Sequence, residues 1–103
     1  MAEKVLAGKT VKVNAEGYFE DLNEWTKEMA IEMAKEYNIE LSPKHFEVLE
    51  YLREKQKAGE SLTIRKVGNS GITDIKGLYT LFPGGPLKIS SKLAGIPKPV
   101  SCV

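Results

Sequence analysis

The sequence predicts an α+β protein, mostly α: a small orthogonal helical bundle with an N-terminal β-hairpin and a flexible C-terminal arm. Three observations carry this. Alternating apolar residues flank a glycine turn near the start, apolar residues then recur at helical spacing, and the last eight residues hold two prolines and the lone cysteine. Residues 1–95 are expected to form the folded domain and residues 96–103 the arm.

The hairpin is read from Val5-Leu6, the turn at Ala7-Gly8-Lys9, and Thr10-Val11-Lys12-Val13, where apolar and polar residues alternate. A second turn spans Asn14 and Gly17, and Tyr18-Phe19 leads into the core. Asp21 or Asn23 is expected to open the first helix, because Asp21 and Glu24 have capping-box spacing. Trp25, Met29, Met33 and Tyr37 then fall every four residues, on one helical face, with Ala30 and Ala34 beside them. The two methionines read as core rather than as a cofactor box.

Ser42 and Pro43 form a cap followed by a first-turn proline. Phe46, Leu49 and Leu52 mark the buried stripe of that second helix, and Gly59 closes it. A short helix is expected over residues 63–67 and another after a Thr73 cap, running through Ile75, Leu78, Tyr79 and Leu81. Gly84-Gly85-Pro86 breaks the chain. Pro86 starts a last helix over residues 87–94, which Gly95 stops.

Composition excludes several functions. Fifteen basic residues against fourteen acidic ones leave a net charge of +1. That gives no global field for nucleic acid or an anionic membrane. No apolar run reaches the roughly 18 residues of a membrane span, and no signal-peptide core opens the chain, so a cytoplasmic location is expected. One cysteine and one histidine exclude a disulfide framework, a cysteine-based zinc site and a multi-histidine metal cluster. No metal or organic cofactor is implied.

Cys102 is the candidate reactive residue. Free cysteines are usually buried and inert, but this one lies one residue from the C-terminus, behind Pro97 and Pro99. Chain ends are where order is weakest. A thiolate on a semi-rigid arm can enter a partner's pocket, attack a sulfur atom held there and withdraw. Lys92 and Lys98 would favour the thiolate if the fold brings them close; the Val103 carboxylate would oppose it. His45, near the start of the second helix, reads as a surface or partly packed histidine. Arg65, Lys66 and Lys76 flank a loose helix-turn-helix pattern, so weak nucleic-acid binding by a regulatory module is the rival from a different class.

The tail and its approach carry a resemblance. Leu78-Tyr79, Leu81-Phe82-Pro83, Gly85-Pro86, Lys92, Ala94-Gly95-Ile96-Pro97-Lys98-Pro99 and the penultimate Cys102 resemble the DsrC/TusE family. Glu16-Gly17-Tyr18, Trp25, Leu41-Ser42-Pro43, His45 and Tyr51-Leu52-Arg53-Glu54 also match. Phe46 departs from the pattern, where the family often has Trp, and the segment between Ala58 and Gly77 is short.

The resemblance implies that Cys102 accepts sulfur, more as a protein co-substrate or sulfurtransferase component than as a turnover enzyme. It implies a donor protein of the TusBCD or DsrEFH kind and an acceptor that is a tRNA thiolase or a sulfite reductase. It also implies that Arg65 sits at a basic family position suited to an anionic sulfur group or a partner carboxylate. Two-cysteine members carry the second thiol eleven residues upstream of the first, and here that position is Ser91. The one-cysteine pattern is similar to TusE-type sulfur relay toward 2-thiouridine in tRNA.

With no second thiol in the chain, mild oxidation should give a covalent dimer or a mixed disulfide that reductant reverses. Non-reducing electrophoresis with intact mass checks this; an oxidised monomer without an adduct and without a sulfur oxyacid would contradict it.

Overall fold

The computed structural model describes residues 2–98. Among the described residues, five α-helices, one 3-10 turn and one two-stranded antiparallel sheet make up the fold. Strands β1 (Ala2–Leu6) and β2 (Lys9–Val13) pair in a register running from Ala2 opposite Val13 to Leu6 opposite Lys9. Ala7 and Gly8 both have positive φ, at 50° and 78°, as a two-residue hairpin turn needs to match the strand twist. Glu32 secures this turn by accepting the Ala7 N–H at 2.6 Å. Val13 bridges to Phe19, and the Tyr18-Phe19 pair is buried as the sequence implies.

The first helical segment differs from expectation. Asp21 caps only a single 3-10 turn, Leu22–Glu24, after which Trp25 is extended. Helix α1 (Lys27–Lys35) starts afresh with Thr26, whose side chain accepts the Met29 N–H. The four-residue spacing therefore spans three structures. Met29 and Met33 lie in the core on α1, Trp25 precedes that helix, and Tyr37 follows it, half exposed. A hydroxyl at position 26 can satisfy a free helix donor, so the chain can turn out of its first turn and back in.

Helix α2 (Pro43–Lys57) follows the expected cap. Ser42 accepts from the His45 backbone, and the His45 ring returns a bond to the Ser42 N–H, which closes a capping box. Val48, Leu49 and Leu52 are fully buried, while Phe46 is only partly so. Helix α3 (Ile64–Gly68) is capped by Thr63. Helix α4 (Ile75–Leu81) is capped by Asp74 rather than Thr73. The Thr73 hydroxyl instead occupies the space where a Gly77 side chain would stand. Helix α5 (Pro86–Leu93) opens at Pro86 as expected and is the most buried element, with Leu87, Ser90, Ser91 and Leu93 almost wholly enclosed. It touches α1, α2 and α4.

At the end of α5 the chain does not leave the body at once. Gly95 turns with φ 66°, its N–H bonded to Lys92 O and that of Ile96 to Ser91 O. Ile96 is completely buried in the core. The expected arm thus has a core residue at its first position. A Cβ on Gly95 would collide with the Trp25 side chain, so this glycine is required for contact as well as for turning.

Replacing Gly95 with Ala should cost about 2–4 kcal/mol, from left-handed strain plus displacement of Trp25. Urea unfolding measures the loss. Emission from the single tryptophan should shift to the red as its ring moves into water.

Candidate functional site

Among the described residues, those around the root of the arm form a well-built polar site. Trp25 donates its indole N–H to Leu93 O at 2.7 Å. Arg53 lies over the indole ring, 4.4 Å from its centroid. Its guanidinium donates to Ala94 O at 3.0 Å and to Leu22 O at 2.9 Å. The last carbonyls of α5, which no intrahelical donor reaches, are thus met by an indole and a guanidinium. The positive charge also complements the negative end of the helix. Burial pushes the Arg53 pKa down from its ordinary value, yet a guanidinium stays charged. Beside this clamp lies a shallow cavity of about 310 Å³, lined by Trp25, Glu50, Arg53, Glu54 and Lys57.

Beyond Ile96, the chain is held from the other end of the sequence. Lys98 donates to both carboxylate oxygens of Glu16, at 2.9 and 3.0 Å. Glu16 sits in the turn after β2, which Asn14 builds by accepting the N–H groups of Glu16 and Tyr18. The hydrogen bond from Lys98 does most to hold the Glu16 carboxyl below the usual carboxylate range. Desolvation, the next largest influence, opposes it, and the charges of Lys98, Lys88 and Lys92 add to the lowering. Lys92 also lies over the Tyr18 ring, 5.3 Å from its centroid. Lys4, Glu16, Gly17, Met33, Glu36, Tyr37 and Lys92 line a cavity of about 210 Å³ on this face.

Among the expected site residues, Cys102 lies outside the described residues, as do Pro99 and Val103. Lys92 and Lys98 do converge, on Glu16. Ser91 is completely buried, and its hydroxyl has no hydrogen-bond partner among the described residues. Such an orphan costs about 1–3 kcal/mol.

His45 is buried, not at the surface. Its Nδ1 accepts from Ser42 N at 3.1 Å, so Nε2 carries the proton that it donates to Leu81 O at 2.9 Å. Its ring also meets Phe82 edge to face. It ties the start of α2 to the end of α4, a structural role.

Arg65, Lys66 and Lys76 are exposed on α3 and α4. Those helices pack closely where Gly68 faces Ile75. Sequence reasoning passed over Arg53 and Glu16 as site residues. Both stood within the matched motifs, but nothing in the linear pattern pairs Arg53 with α5 or Glu16 with Lys98. Among the described residues, no helix is long and apolar enough to cross a membrane, and no group of three His, Cys, Asp or Glu residues could hold a metal ion.

A hairpin and four helices around the buried α5, with a clamp at the root of the segment that leads to Cys102, define a small, mostly helical α+β domain. The family model described as "DsrC like protein" matches residues 5–103, and the chain belongs to that family. It is 32% identical over 108 residues to "Sulfurtransferase TusE" of Escherichia coli K12, covering 96% of this chain and 98% of that protein. It is similar in structure to DsrC of Allochromatium vinosum, with TM-score 0.79, 36% identity, and 98% and 97% of the two chains covered. The oxidised gamma-subunit of the dissimilatory sulfite reductase from Archaeoglobus fulgidus gives TM-score 0.81 at 31% identity, covering 99% of this chain and all of that one. The protein is a DsrC/TusE-family sulfur-relay protein.

A carboxyl group held down by a folded-state partner contributes stability above its unfolded pKa, and loses it as pH falls through the folded value. The Glu16–Lys98 pair should therefore persist at neutral pH and part only below the ordinary carboxylate range. Carbon-detected NMR of the Glu16 carboxyl should show a lowered midpoint, and Lys98→Gln should return it most of the way.

Proposed function

We propose that this chain is a TusE-like sulfur carrier whose Cys102 takes persulfide sulfur from a donor protein and passes it to an acceptor in the tRNA 2-thiouridine pathway or related sulfur trafficking. The observation that carries this reading is the family match running through the C-terminus to residue 103 in a chain with a single cysteine. The Cys102 thiolate attacks the outer sulfur of the donor persulfide. That S–S bond breaks, the donor leaves as a thiolate, and a persulfide forms on Cys102. Sulfane sulfur moves without any external oxidant. The donor is of the TusBCD or DsrEFH kind.

Ser91 supports relay over a two-thiol reaction. It stands where two-cysteine family members have their second thiol, and a hydroxyl cannot close a disulfide or trisulfide. The second reading, an accessory gamma-subunit of a dissimilatory sulfite reductase, draws on similarity to DsrC at 31% to 36% identity, about the same as to TusE. Co-purification with a sirohaem protein would favour it. Salt-dependent retention on DNA would favour a regulatory helix-turn-helix module instead.

Incubation of the reduced protein with a persulfide-bearing sulfurtransferase should add one sulfur atom to Cys102, and Cys102→Ser should abolish the adduct. Intact and peptide mass spectrometry reads both. No adduct on an accessible, reduced Cys102, with a positive control loading normally, would sink the carrier reading.

A further inference from the structure

Helices α3 and α4 approach closely because Gly68 has no side chain: a Cβ there would collide with Ile75. The Ile75 side chain lies against α3 at that point yet stays 42% exposed, and Tyr79, one turn further along α4, is 49% exposed. Residues four apart share a helix face, so the two form an apolar pair. On α3, Arg65 stands three residues before Gly68 and shares the side that meets Ile75. Lys76 follows Ile75 and Lys66 follows Arg65, and all three cations are exposed. Two short helices thus bring two large apolar side chains and three positive charges to one face.

Single exposed apolar residues are ordinary on a protein surface. This pair is set apart by its surroundings. Among the described residues, Arg65, Lys66 and Lys76 enter no ion pair, whereas Lys4, Lys27, Lys44, Lys55 and Lys98 each meet a carboxylate. Lys66 donates to Ser61 O at 3.0 Å, a neutral acceptor that leaves its charge uncompensated. The acid nearest in sequence, Asp74, is committed to its own helix, where Oδ1 accepts the Gly77 N–H at 2.6 Å. We propose that the α3–α4 face is a docking surface for an acidic, amphipathic segment of a partner protein. Ile75 and Tyr79 take its apolar side chains, and Arg65, Lys66 and Lys76 take the carboxylates beside them. Tyrosine and arginine are the side chains that commonly anchor interfaces, and a guanidinium can hold a carboxylate through two parallel hydrogen bonds.

The charges alone would also suit a phosphate backbone, but their setting favours protein. A helix-turn-helix reads DNA with the N-terminal residues of its second helix. Here those positions carry the Asp74 carboxylate and the Ile75 side chain, and a carboxylate is repelled by the phosphates that flank a groove. Ile75 and Tyr79 are better served by a partner's apolar side chains, against which both lose contact with water. This face contains no residue of the C-terminal segment, so docking here and sulfur loading of Cys102 are scored independently.

The probes are two synthetic helical peptides of about 15 residues, one with glutamates flanking a leucine stripe and one with lysines in their place. Each is titrated into the isotope-labelled full chain under reductant, and amide shifts are mapped by NMR. The acidic peptide should perturb residues 64–68 and 75–81 and bind about tenfold or more tighter than the basic one. Tyr79→Ala should weaken it by about fivefold or more. Arg65→Glu combined with Lys76→Glu should reverse the preference, so that the basic peptide now binds at the same residues. Raising salt from about 0.05 to 0.5 M should weaken binding to wild type. The three substituted positions are exposed, and thermal midpoints should stay within about 2 °C of wild type. Perturbation of other residues or of none, equal binding of the two peptides, or an unreversed preference in the double variant would each overturn the assignment. Duplex DNA bound at these residues more tightly than the acidic peptide would overturn it in favour of nucleic acid.

Discussion

The closure of the C-terminal end of α5 by Trp25 and Arg53 is the contact on which the rest of the architecture depends. Helix α5 is the buried centre of the bundle, and its final carbonyls have no intrahelical donor. The indole N–H takes Leu93 O, and the guanidinium takes Ala94 O and Leu22 O. One planar cation, stacked on one aromatic ring, therefore joins the 3-10 turn, α2 and α5. A lysine could supply the charge but not two directed donors together with the stacking geometry. The clamp also explains why Gly95 has no side chain: the chain passes directly against the Trp25 ring there.

This arrangement suits two demands that the proposed relay would make of one short segment. The root must be fixed, so that the arm leaves from a defined place, and the end must reach a partner. Burial of Ile96 meets the first demand with apolar contacts that carry no titratable group. The exposed Glu16–Lys98 pair lies just outside it, where an ion pair adds little to stability. Ser91 lies on the inner side of the same helix, enclosed and without a hydrogen-bond partner among the described residues. A small polar side chain is tolerated there at a cost in stability, and nothing in the described contacts uses its hydroxyl.

Local chemistry was readable along most of the chain. Ser42-Pro43 opens α2 and Pro86 opens α5, because capping hydroxyls and first-turn prolines act within a few residues of themselves. Thr63 and Gly95 act in the same short range. The errors also have local causes. Thr26 and Asp74 outcompeted Asp21 and Thr73 as helix caps, and a four-residue apolar spacing cannot tell one continuous helix from a broken one whose pieces face the same core. His45 was read as a surface or partly packed histidine; its burial comes from Leu81 and Phe82, dozens of residues away.

The sequence by itself determined the class of fold, the family and the single thiol, since each of these is written in residue type, order and short-range spacing. Only the tertiary structure decided that Arg53 and Trp25 close α5, that Ile96 belongs to the core, and that Glu16 meets Lys98. Those contacts join segments tens of residues apart. The energy that brings them together comes from packing the whole core, which no local pattern records.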